Sequence, residues 1–87
     1  MSTIELIKQK LATLNPEKIE IIDESVKHKD HEGAKAGGGH FFLTIVSYDF
    51  SNKSTIIRHK MIYAALGEMM NKDIHALSIK AYTPEEI

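Results

Sequence analysis

Ile4, Ile7, Leu11 and Leu14 recur at helical spacing, and Ser2 with Glu5 three residues on forms the S-x-x-E pattern that caps such a helix. Asn15-Pro16 ends it, because proline disfavours a helical conformation in the residue before it. Ile19 to Glu24 then reads as a strand, with Ile19 and Ile21 on one face and acids mostly on the other. Phe41 to Val46, aromatic and β-branched throughout, is the strongest strand signal in the chain. Between the two strands, residues 26–39 are rich in Lys, His, Gly and Ala and end in Gly37-Gly38-Gly39, which predicts a long mobile loop joining an antiparallel pair. Tyr48 to Lys53 reads as a polar turn. Ser54 caps a second helix expected from Thr55 to about Met70, with His59, Ile62, Tyr63, Leu66 and Met70 as its apolar stripe, Lys60, Ala64 and Gly67 opposite, and Asn71 as a C-cap. Ile74 to Tyr82 alternates as a third strand, placing His75, Leu77, Ile79 and Ala81 on one face. Thr83-Pro84 opens a short terminal helix, as a cap followed by proline at the first helical position does. The order α-β-β-α-β-α predicts an α+β domain, a three-stranded sheet with helices packed on one face.

At 87 residues the chain has the length of one domain, with no repeat and no room for a deep pocket and lid. Its net charge of -1 creates no field that draws it to nucleic acid or membrane. No apolar run approaches the ~20 residues that span a bilayer, and Met1 to Glu5 does not resemble a signal peptide. Together with the absence of cysteine, these features lead to the expectation of a cytoplasmic protein. The serines and histidines form no nucleophile–base set, and the glycine run lacks both the Lys-Ser/Thr ending and the following helix of a phosphate loop. The expectation is a protein that is not an enzyme.

Several strings resemble the BolA family: Ile21-Ile22-Asp23-Glu24-Ser25, Gly38-Gly39-His40-Phe41, Phe50-Ser51-Asn52-Lys53-Ser54, Arg58-His59-Lys60-Met61-Ile62-Tyr63, and Ile74-His75-Ala76-Leu77 through Thr83-Pro84-Glu85. The resemblance implies a class II KH-like fold and an accessory role in iron–sulfur cluster trafficking. It implies a heterodimer with a monothiol glutaredoxin, formed by an otherwise monomeric protein, around a bridging [2Fe–2S] cluster. Glutaredoxin and glutathione would supply sulfur, and His75 of the Ile-His-Ala motif would supply nitrogen. A second ligand would come from His28, His31 or His40, which the resemblance does not rank. No cofactor is expected in the isolated chain. Many members have glycine where this chain has Asn52, the residue next best suited to positive φ, and some carry a loop cysteine that this chain lacks.

The five histidines also have plain readings. A histidine at a strand start beside Leu77 and Ile79 is ordinarily structural, and only the resemblance reverses this for His75. His59, at the head of the apolar stripe, is expected to be structural. A neutral imidazole on iron lowers the negative charge of a cluster relative to thiolate. Such ligation weakens as pH falls below the free imidazole value of ~6.5. Lys53, Arg58 and Lys60 form a local basic cluster, and BolA proteins have been described as transcriptional regulators. A nucleic-acid contact through the second helix is therefore the alternative function, although the G-x-x-G clamp of KH domains is absent between helices.

Overall fold

The computed structural model describes residues 2–24 and 39–87. Of the expected mobile loop over 26–39, all but Gly39 lies outside the described residues, and His28 and His31 lie outside with it. Helix α1 spans Thr3–Leu11, and the Ser2 hydroxyl accepts the Glu5 backbone N–H at 3.1 Å. A 3-10 turn over Ala12–Leu14 follows, ending in Asn15 at φ 52, the left-handed conformation that closes a helix ahead of Pro16. Strand β1 is Lys18–Asp23, one residue earlier than the alternation suggests. Strand β2 is Gly39–Val46, so Gly39 belongs to the sheet and not to the loop. Helix α2 covers Thr55–Leu66, the short helix α3 covers Met69–Lys72, and strand β3 covers Ile74–Tyr82.

The sheet order is β1-β2-β3, with β1 antiparallel and β3 parallel to the central β2. Ile19, Ile21, Leu43, Ile45, Leu77, Ile79 and Ala81 meet across this register on one face. That face closes a single core against Ile7 and Leu11 of α1 and Ile62 and Leu66 of α2, with Phe50 at 0% exposure beside them. Phe42, Ser78 and Lys80 lie on the other face, where the Lys80 ammonium sits 5.3 Å from the centre of the Phe42 ring.

The second helix departs from expectation in two ways. It stops at Leu66, because Gly67 adopts φ 58 and its N–H bonds back to the Tyr63 carbonyl at 3.0 Å. Met69 and Met70 then begin α3, within which Asn71 lies, so Gly67 and not Asn71 ends the helix. Its buried side also differs: Arg58, Ile62 and Leu66 face the core, His59 is half-buried, and Tyr63 is 42% exposed. Asn52 adopts φ 62, so the turn before α2 holds its left-handed residue without glycine.

Candidate metal centre

His40 is the second residue of β2 and His75 the second of β3, and because the strands run parallel these positions fall at the same end of the sheet. Gly39 pairs with Ile74, but His40 pairs with Ala76, so His75 occupies the extra position of a bulge. The bulge lets Ile74 bury at 3% exposure while Leu77, Ile79 and Ala81 stay in phase with Phe41, Leu43 and Ile45. It releases His75 from the ladder toward the His40 ring, and the ring centroids lie 5.0 Å apart at 39°. His75 is exposed, whereas His40 is half-buried with its Nε2 covered from solvent.

Backbone bonds hold the start of β2 from both sides. The Glu24 N–H donates to the His40 carbonyl at 2.8 Å, and the Gly39 N–H donates to the Asp73 carbonyl at 2.9 Å. The chain thus presents two imidazoles from a fixed sheet end. Among the described residues, no group of three or more His, Cys, Asp or Glu could hold a metal ion. Two nitrogens leave further ligands to be supplied from outside, and the chain contains no thiol to supply them.

The structure takes Arg58 out of the basic cluster read from the sequence. Its guanidinium donates from Nε to the Lys53 carbonyl at 2.9 Å and from Nη1 to the Ala81 carbonyl at 3.0 Å. Its two ends grip the Glu86 carboxylate, Nη1 to Oε1 at 2.6 Å and Nη2 to Oε2 at 2.9 Å. Glu86 in turn accepts the Thr83 N–H at 2.8 Å, which fixes the terminal 3-10 turn over Pro84–Glu86. The bidentate Arg58 bonds, with the Thr83 N–H, hold the Glu86 carboxyl down at about 2, well below the usual carboxylate range. Arg58 is therefore an internal clasp, spent on the protein's own carbonyls and carboxylate, and Lys53 and Lys60 remain as the exposed cations of that segment. Nothing local marks this role, because Glu86 lies 28 residues away.

The sequence pattern of the family described as BolA-like protein matches residues 11–86. The chain belongs to the BolA-like family. Among its relatives, the "DNA-binding transcriptional regulator BolA" of Haemophilus influenzae is 39% identical over 99% of this chain and 82% of its own length. "SufE-like protein 1, chloroplastic/mitochondrial" of Arabidopsis thaliana is also 39% identical, over 93% of this chain, but the match spans only 24% of that longer protein. The solved BolA domain of SufE1 from Arabidopsis thaliana superposes with a TM-score of 0.84 at 38% identity, covering 100% of this chain and 99% of that one. The chain therefore shares the fold of a BolA domain. Among the described residues no helix is long and apolar enough to cross a membrane.

Proposed function

We propose that this BolA-like chain is an accessory protein of iron–sulfur cluster trafficking that pairs with a monothiol glutaredoxin across a shared [2Fe–2S] cluster. The observation that carries the reading is the side-by-side placement of His40 and His75 in a chain without cysteine. Their donor set suits such a cargo, since two imidazoles on one iron have a precedent in Rieske centres. Bound there, the cluster would carry less negative charge than an all-thiolate one, and ligation through imidazole, which protonation weakens, suits release to a recipient. His75, exposed at the bulge, is the first ligand a partner would meet. His40 stands behind it, held by the backbone bonds of Glu24 and Gly39. The partner's thiol and glutathione complete the coordination, so the heterodimer and the cluster form together.

The test is anaerobic mixing with a monothiol glutaredoxin, glutathione, iron and sulfide, followed by visible absorption and circular dichroism and by size. The expected result is a spectrum distinct from that of glutaredoxin alone, on a particle of heterodimer size, which His75→Ala abolishes and His40→Ala alters. An unchanged spectrum with His75→Ala would overturn the reading.

A second reading, contact with DNA, is favoured by the name of the Haemophilus relative. With Arg58 committed internally it rests on Lys53 and Lys60, which predicts weak and strongly salt-dependent binding. A gel shift that is lost on changing both lysines to alanine tests it.

A further inference from the structure

Helix α2 carries large apolar side chains on its outer side as well as on its core side. Ile56 is 67% exposed, Ile57 43% and Tyr63 42%. Ile56, Lys60 and Tyr63 follow an i, i+4, i+7 stripe opposite the side of the buried Arg58 and Ile62 and the half-buried Ala65, with Ala64 on its flank. A surface helix ordinarily turns a polar face to water, and one that is apolar all round is usually covered. Beyond the C-terminal end of the stripe, where Gly67 breaks the helix, a cavity of about 560 Å³ opens between α1 and α3, lined by Leu6, Lys10, Ala64, Gly67, Met69 and Lys72 among others.

The α2 segment itself carries charge of one sign. No acid occurs between Asp49 and Glu68 in the sequence, and the first turn of α2 carries none to offset its partly positive N-terminal end. Lys53 and Lys60 are exposed there. Of the nearest acids, Glu86 is held by Arg58 and Asp49 bonds the Asn15 amide at 3.0 Å. Glu85 lies with Glu86 beside the Ser51–Asn52 turn. Glu68 and Asp73 line the cavity, Glu68 within 3.5 Å of the Lys72 ammonium. Two lysines are few for a phosphate backbone, which takes its affinity from many neutralised phosphates. An exposed isoleucine and tyrosine at the centre are what a protein partner uses.

We propose that the outer face of α2 docks an acidic segment of a partner protein that carries aliphatic side chains, with Ile56 and Tyr63 at the apolar centre, Lys53 and Lys60 on carboxylates, and the cavity beside Gly67 taking an aliphatic side chain. The proposal is independent of the histidine pair, which belongs to β2 and β3.

The test uses the full chain, labelled with nitrogen-15, and three probes: a synthetic helix with leucines on one stripe and glutamates on its flanks, the same helix with lysines for the glutamates, and a DNA duplex. The leucine–glutamate helix is expected to shift backbone amides from Lys53 to Lys72 and to leave those of His40 and His75 in place. Ile56→Ser and Tyr63→Ser should each weaken it about tenfold, the loss typical of removing a central anchor, with thermal melts confirming that these exposed changes leave the fold intact. Lys60→Glu should weaken the glutamate helix and strengthen the lysine helix, a charge reversal that a merely destabilised protein would not give. Equal binding of the two helices, shifts confined to other elements, or a DNA duplex that moves these amides where the glutamate helix does not would each overturn the proposal.

Discussion

Replacing Arg58 by lysine separates a surface cation from an internal clasp. Lysine keeps the charge and could keep a contact with a phosphate or with Glu86. It has one nitrogen, however, and cannot span the carboxylate while also reaching the Lys53 and Ala81 carbonyls, which Arg58 serves at 2.9 and 3.0 Å. Arg58 is only 9% exposed, so those two acceptors lose a charged donor in a place that water reaches poorly. Counting about 1 kcal/mol for each lost carbonyl bond gives roughly 2 kcal/mol. For a domain of this size that corresponds to a fall in Tm of about 8–16 °C. Arg58 also lies over the Phe50 ring, 6.0 Å from its centre, so the loss should appear in the near-ultraviolet signal as looser packing there. Thermal and urea melts followed by circular dichroism measure the change. A lysine variant less than about 0.5 kcal/mol below the parent, the ordinary range of surface substitutions, would refute the clasp and restore Arg58 to the exposed basic cluster.

The same clasp sets an acid response. Glu86 is depressed to about 2 when folded, against an ordinary 4.5, so its stabilising effect is complete above about pH 4.5 and is lost as pH falls toward 2. Glu86→Gln should flatten the dependence of Tm on pH within that window and leave it unchanged at higher pH. Ser47→Ala should cost about 1–3 kcal/mol in urea melts, because the buried Ser47 hydroxyl donates to the Leu14 carbonyl at 2.6 Å and accepts the Asp49 N–H at 3.0 Å. Gly67→Ala should cost about 1–3 kcal/mol from backbone strain alone, since Gly67 sits at φ 58 and an added Cβ would meet no atom within 4 Å. A melt unchanged from the parent would show that the helix break tolerates a side chain.

What the sequence made legible was local. The Ser2 and Ser54 caps, the Asn15-Pro16 stop, the Asn52 turn and the phase of β3 from Leu77 to Ala81 follow from residues within a turn of one another, whereas the bulge takes His75 out of the face on which alternation placed it. The end of α2 was missed because Glu68, Met69 and Met70 are good helix formers and hide the stop at Gly67. Arg58 was misplaced because a charged residue in a basic run is ordinarily exposed, and the carboxylate that draws it inward lies at the far end of the chain. That His40 and His75 meet is likewise not legible locally, although the resemblance names His40 among three possible companions of His75. It depends on a parallel ladder and on a bulge that shifts one strand by one residue, and no local pattern encodes either. His28 and His31, the other candidates for a second ligand, lie outside the described residues.

That parallel ladder also has a consequence in time. Antiparallel β1 and β2 can register as neighbours in sequence, but β3 can add only after the chain has travelled through α2 and α3 and come back beside β2. Contacts between such distant segments form late, because loop closure must precede them. His40 and His75 are thus strangers in the nascent chain and become neighbours only when the last strand docks. A half-folded molecule offers a partner single imidazoles with no fixed companion. Under the proposed function, a partner that reads the two imidazoles together would distinguish finished molecules from half-folded ones.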